Sequence, residues 1–207
     1  MEEPHFIFNG PEGGPVIALA HGAGAPMDSP SLETIARGLA AAGLRVARFE
    51  FPYMRRRRET GKGGAPDREP VLRQAWHAVI AALGGPENLV IGGKSMGGRM
   101  ASLIADEAGV RGLVCLGYPF HPPGQLERLR TAHLRGLRTP TLIVQGTRDP
   151  FGTREEVAGY ELSPAIRVVW LEDGDHSFKP RKSSGHTEAG HLARAVEEVA
   201  SFVKALG

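Results

Sequence analysis

Serine is a weak nucleophile at neutral pH unless a base takes its proton, and histidine is the side chain that titrates in the useful range. A buried acid then fixes the imidazole tautomer and stabilises the imidazolium as it forms. Three short stretches of this chain carry those residue types: Gly93-Lys94-Ser95-Met96-Gly97-Gly98, Gly146-Thr147-Arg148-Asp149-Pro150 and Gly174-Asp175-His176-Ser177-Phe178. Ser95, Asp149 and His176 are therefore candidates for nucleophile, acid and base, and the chemistry that such a set performs is acyl transfer.

The first stretch follows an apolar run, Leu89–Gly92, and opens a segment of helical period. A nucleophile on a sharp strand-to-helix turn needs glycine on either side, because a β-carbon at Gly93 or Gly97 would clash. The same turn sets Ser95 at a helix N-terminus, with the Met96 amide aimed at developing negative charge. Two other readings compete. Ser95 could simply cap a helix, and Gly93-Lys94-Ser95 resembles the tail of a phosphate-binding loop. That loop needs a glycine where Asn88 stands, and the intervening residues read as strand, so it is set aside. Asp149 alone could be a turn former before Pro150, and His176 is one of eight histidines. Asp173 and Asp175 share the His176 loop and are expected to face solvent. Acyl transfer also needs a second oxyanion donor opposite Met96. The stretch His21-Gly22-Ala23-Gly24 supplies it, with the Ala23 amide first and that of Gly24 second, while His21 reads as an orienting or packing histidine.

Each of these stretches must be held by the element before it. Apolar runs at Val16–Ala20, Leu44–Phe51, Leu89–Gly92, Leu113–Gly117, Thr141–Gln145 and Ile166–Leu171 alternate with helical segments, and Phe6–Phe8 adds an edge strand. Several runs are apolar almost throughout, as strands covered on both faces are. Leu32, Ile35, Ala36 and Leu39 fall on one helical stripe. Met96, Met100, Leu103 and Ile104 form a second, and residues from Leu192 to Leu206 a third. Ser29-Pro30 and Asp67 read as helix starts. The pattern predicts one α/β domain over residues 1–207: a mostly parallel sheet of six or seven strands, with helices on both faces and little or no cap. Ligands bind beyond the carboxyl ends of such strands, which is where the three stretches lie.

Composition narrows the function further. The net charge of +2 gives no global case for nucleic acid or membrane as partner. Cys115 is the only cysteine, so no intrachain disulfide can form, and its run reads as a buried strand. The acidic start Met1-Glu2-Glu3-Pro4 does not read as a signal peptide, and a cytoplasmic location is expected. His186 and His191 are five apart, off one helix face, so no metal ligand pair is predicted and no cofactor is implied. Tyr53, Met54, Tyr118, Phe120 and Phe151 follow strand ends and are expected to line an open, partly aromatic pocket for a small acyl compound. Arg55-Arg56-Arg57-Arg58 reads first as a solvated loop, and second as a recogniser of an anionic substrate.

Taken together, His21-Gly22-Ala23-Gly24, Phe49-Glu50-Phe51-Pro52-Tyr53, Gly93 through Arg99, the Gly146–Pro150 stretch and Gly174-Asp175-His176 resemble the α/β-hydrolase superfamily. The short, cap-less form is similar to its dienelactone-hydrolase-like branch, and to a subgroup within it that includes the testis-expressed hydrolase-like proteins. The order Ser95, Asp149, His176 is the order that this superfamily uses. The resemblance implies a serine hydrolase acting on an ester, thioester or lactone. Dienelactone hydrolases proper carry a cysteine where this chain has Ser95, so their substrate does not carry over. A peptidase or acyltransferase would use the same triad, and a non-catalytic scaffold would keep the fold without needing all three residues.

Overall fold

The computed structural model describes residues 3–207. Seven strands form one sheet in the order β1-β3-β2-β4-β5-β6-β7. They are β1 (Phe6–Asn9), β2 (Val16–Ala20), β3 (Arg45–Phe49), β4 (Leu89–Lys94), β5 (Gly112–Leu116), β6 (Thr141–Gly146) and β7 (Ile166–Leu171). Only the edge strand β1 runs antiparallel, pairing Phe6 with Phe49 and Asn9 with Val46. From β2 the chain steps outward to β3, then returns to the other side of β2 as β4. The strand order reverses there, between the ends of β2 and β4, which is the place where sheets of this kind bind their ligands.

Helices cover both faces. On one, α1 (Pro30–Ala41) packs against the last helix, Glu188–Ala205. Leu32, Ile35, Ala36 and Leu39 of α1, together with Leu192, Ala195 and Val199, are buried over Ile17, Val46, Val90 and Val144. On the other face lie α2 (Pro52–Thr60), α3 (Glu69–Ala82), α4 (Met96–Ser102) and α5 (Ala105–Ala108). Trp76, Val79, Met100 and Ile104 are buried there against Ala18, Phe49 and Ile91. A short helix, α6 (Arg154–Val157), precedes β7, and the last helix is α7. The expected stripe from Met96 to Ile104 is thus split into two helices that break at Leu103–Ile104.

Two local expectations are corrected. The run Arg55–Arg58 is not a loop but the body of α2. Pro52 presets the helical φ at the first position, and the amide of Gly61 closes the last turn on Arg57 O. Arg57 and Arg58 then sit at the negative end of the helix dipole. Asp67 does not cap α3, whose N-cap is Arg68. Its carboxylate instead accepts from the amide of Tyr53 at 2.9 Å and from Arg56 Nη2 at 2.5 Å, which ties the start of α2 to the chain entering α3. Among the described residues no helix is long and apolar enough to cross a membrane.

Candidate active site

Ser95 occupies the turn between β4 and α4 with φ 50° and ψ −115°, a strained combination for a residue with a β-carbon. The glycines around it are required by β2. A Cβ on Gly93 would stand 2.2 Å from Ala20 O, and one on Gly97 would stand 2.6 Å from His21 O. The steric demand expected at both positions is real, but the clash is with the neighbouring strand. The turn is pinned on its other side by the Ser95 amide, which donates to Leu116 O.

From Ser95 a hydrogen-bonded chain runs inward. His176 Nε2 lies 2.9 Å from Ser95 Oγ, and His176 Nδ1 lies 2.8 Å from Asp149 Oδ2. Asp149 is fully buried. Its Oδ1 accepts from the Phe151 amide at 2.8 Å, and its Oδ2 also accepts from Gln145 Nε2 at 2.9 Å. These donors fix the orientation of the carboxylate. With Asp149 accepting, the Nδ1 position carries the imidazole proton and Nε2 is left as the acceptor facing Ser95. The Phe151 ring covers the imidazole at a centroid distance of 4.2 Å.

Gln145 was not singled out from sequence. Its Oε1 accepts from the Tyr118 amide at 2.7 Å while Nε2 reaches Asp149, so it fastens the end of β6 to the chain after β5. The available signal was a lone amide closing the otherwise apolar run Thr141–Gln145. The other carboxylates of the histidine loop have separate tasks. Asp173 is buried, contrary to expectation, because Arg148 and Arg181 close over it. The Arg181 bonds hold its carboxyl down to about 2. Asp175 Oδ1 accepts from the amides of Ser177 and Lys179 and shapes the turn around His176.

The loop after β2 runs beside Ser95: a Cβ on Gly22 would lie 3.8 Å from Ser95 Cβ. His21 Nε2 accepts from the Phe51 amide, so its Nδ1 is the donor to Gly22 O at 2.6 Å. Burial lowers its pKa, in keeping with a neutral packing histidine. Tyr53 Oη donates to Ala23 O at 2.9 Å and so braces the same loop. The Met96 amide belongs to the first turn of α4, where helical amides lack intrahelical partners.

Four of the five expected pocket residues are packed away and line no open pocket. Tyr53, Met54, Tyr118 and Phe120 are buried in the core beneath the α2–α4 face. Tyr118 Oη donates to Arg130 O, and the segment after β5 folds back over the ring. Of the five, Phe151 is the one whose ring lies against His176. Among the described residues no group of three or more His, Cys, Asp or Glu could hold a metal ion. Two of the four arginines of α2 are turned to carboxylates of the chain itself. Arg58 pairs with Asp28 at 2.7 Å and Glu50 at 2.6 Å, and Arg56 pairs with Asp67.

Residues 14–204 match the Alpha/beta hydrolase domain family. This chain belongs to that family. Membership supports a hydrolase activity and accounts for the sheet order and for the elbow after β4. A putative protein-lysine deacylase, ABHD14B of Rattus norvegicus, is 31% identical over 140 residues, which is 67% of this chain and 63% of that relative. The match thus spans less than two thirds of the relative's length. Dienelactone hydrolase from Anabaena variabilis superposes with a TM-score of 0.74 at 19% identity, covering 99% of each chain. Est1E from Butyrivibrio proteoclasticus, solved with ferulic acid bound, superposes at 0.72 with 15% identity, covering 98% of this chain and 96% of its own. These two likenesses speak for the fold.

Proposed function

We propose that the chain is a serine hydrolase that cleaves an ester, thioester or lactone of a small acyl compound, with Ser95, His176 and Asp149 as nucleophile, base and acid. The observation that carries this reading is the unbroken chain from Ser95 Oγ through His176 to the buried Asp149, at 2.9 and 2.8 Å. Ser95 Oγ attacks the acyl carbon while its proton passes to His176 Nε2. The tetrahedral oxyanion is held by the amides of Met96 and Ala23. Collapse breaks the bond to the leaving group, which takes the proton from His176 and departs, leaving an acyl-Ser95. Water then repeats the sequence, its proton going to His176 and back to Ser95 Oγ as the acid is released. Asp149 holds the imidazole tautomer and stabilises the imidazolium, and each oxyanion donor is worth on the order of 10²–10³ in rate.

Arginines that already serve Asp28, Glu50 and Asp67 give no support to an anionic substrate. A second reading comes from the relative named a putative protein-lysine deacylase: the same attack on the amide carbonyl of an acylated lysine. A fluorophosphonate probe, which reacts with activated serines, tests the nucleophile. Labelling at Ser95 is expected, and a protein left unlabelled would sink the enzyme reading in favour of a scaffold. A panel of acyl esters of graded length beside acyl-lysine peptides then separates the two substrates. Turnover of esters with inert peptides is the expected pattern.

A further inference from the structure

Lys94 directly precedes Ser95, and no step of acyl transfer requires an ammonium there. Its side chain leaves the end of β4 and, instead of reaching into solvent, crosses to the loop after β7. Nζ donates to the main-chain oxygen of His176 at 2.6 Å, the only hydrogen bond it makes among the described residues. It lies 5.4 Å from the centroid of the buried Phe178 ring. Asp149 and Asp175 attract the charge, but neither is bonded to it, and burial outweighs both and lowers the Lys94 pKa to about 8. A cation is thus kept in a costly place with one short bond to show for it.

The route of this side chain is kept open by Gly117, which follows β5 with φ +69°. A Cβ there would stand 2.7 Å from Lys94 Nζ, 3.2 Å from His176 O and 3.4 Å from His176 Cε1. Lysine and histidine loop therefore meet over a position that glycine alone fits. The other ties of that loop act elsewhere: Asp173 binds Arg148 and Arg181, and Asp175 binds amides at 177 and 179. Lys94 grips the main chain of His176 itself.

We propose that Lys94 is a positioning residue that clamps the His176 backbone so that the imidazole reaches Ser95 and Asp149 at once. The inference rests on the triad reading given above. Because the clamp starts one residue from the nucleophile, it fixes the base relative to the attacking atom and not merely to the sheet. A misplacement of about 1 Å in such a pair costs on the order of 10²-fold in rate.

The test is Lys94→Met, which keeps an unbranched apolar stem one atom shorter and removes the donor and its charge. On a short acyl ester, kcat is expected to fall by about 10- to 100-fold, with KM within about twofold. Lys94→Arg, which retains a charged donor, is expected to recover part of that loss. A second readout does not need turnover: the low-field proton resonance of His176 Nδ1–H, expected to be sharp in the parent and in Ser95→Ala, and shifted or broadened in Lys94→Met. If Lys94→Met does not fold, Lys94→Gln takes its place with the same two readouts. An unchanged kcat, or a loss of stability with the resonance unmoved, would overturn the clamp. Retention of activity in Ser95→Ala would instead bring down the triad, and the resonance would still decide the role of Lys94.

Discussion

Two regions of this molecule gather polar and charged side chains, and they differ in where their bonds end. Around α2, Arg58 joins Asp28 and Glu50, and Arg56 joins Asp67. Every bond there closes on another group of the chain, and the result is an anchored helix. Beyond the ends of β4, β6 and β7 the bonds form an open series, in which Gln145 and His176 both donate to Asp149 and His176 Nε2 faces Ser95 Oγ at the other end. That series stops at a hydroxyl on a strained turn, where the proposed reaction would bring a carbonyl as the next partner. A polar cluster that closes on itself contributes to stability. One that ends on a hydroxyl with no further partner is what the proposed acyl transfer calls for.

The contrast breaks most visibly at Ser95. Ser95→Ala is expected to lower ester hydrolysis by 10⁴-fold or more, while the melting temperature stays within about a degree. Adding His176→Ala should change little further, since triad members act as a unit. Additive losses in the double variant would mean that the two do not work together. The matching cut in the other region is Arg58→Ser. It strands Glu50, whose side chain is only 5% exposed, and about 1–2 kcal/mol of stability should be lost in urea unfolding. Steady-state rates on a carboxylated ester and its neutral analogue should not change. A KM that rises for the carboxylated ester alone would move α2 into the substrate site.

How far the sequence foretold these two regions follows from how local each signal is. The strands, the elbow and the order Ser95, Asp149, His176 are short-range patterns: an apolar run, then a turn, then a chemistry-bearing residue. All of them were legible. The α2 helix was not, because four arginines carry no apolar stripe; its signs were Pro52 at one end and Gly61 at the other. Tyr118 and Phe120 were read as pocket residues since they follow β5. Their burial depends on residues near 130 folding back, a contact that no local pattern reports. Asp173 failed in the same way, its partners lying in two different loops.

Cys115 sharpens the comparison by testing a group that belongs to neither region. It lies in β5, fully packed, with Sγ 3.6 Å from Gly98 O, and burial pushes its pKa well up. Cys115→Ala should keep full activity and cost about 1 kcal/mol, the loss of one small buried group. Iodoacetamide should modify the native protein no faster than global unfolding allows. Fast alkylation with loss of activity would place a reactive thiol where the structure has an inert one.

The smallest effect concerns a closed cluster behind α4, where His133 Nε2 lies 2.8 Å from Ser102 Oγ and 3.5 Å from Tyr118 Oη. Burial, helped by the nearby Arg99, lowers the His133 pKa from 6.5 to about 4. Between those values the unfolded chain binds a proton that the native protein refuses. Stability must therefore fall as pH drops from about 6.5 toward 4, and the loss from this group ends once both states are protonated. His21, also lowered by burial, adds to the same limb. The lowered carboxylates Asp28, Asp106, Glu156 and Asp173 lose their contribution only at lower pH, where the unfolded chain takes up protons that the native forms still refuse. A thermal scan series between pH 7 and 5 thus isolates the histidines. His133→Gln keeps a polar group within reach of Ser102 and cannot be protonated, so its melting temperature should decline less steeply over that range than the parent's. Parallel declines would mean that His133 takes up its proton as readily in the native protein as in the unfolded chain, and the cluster would then be open to water and not closed on itself.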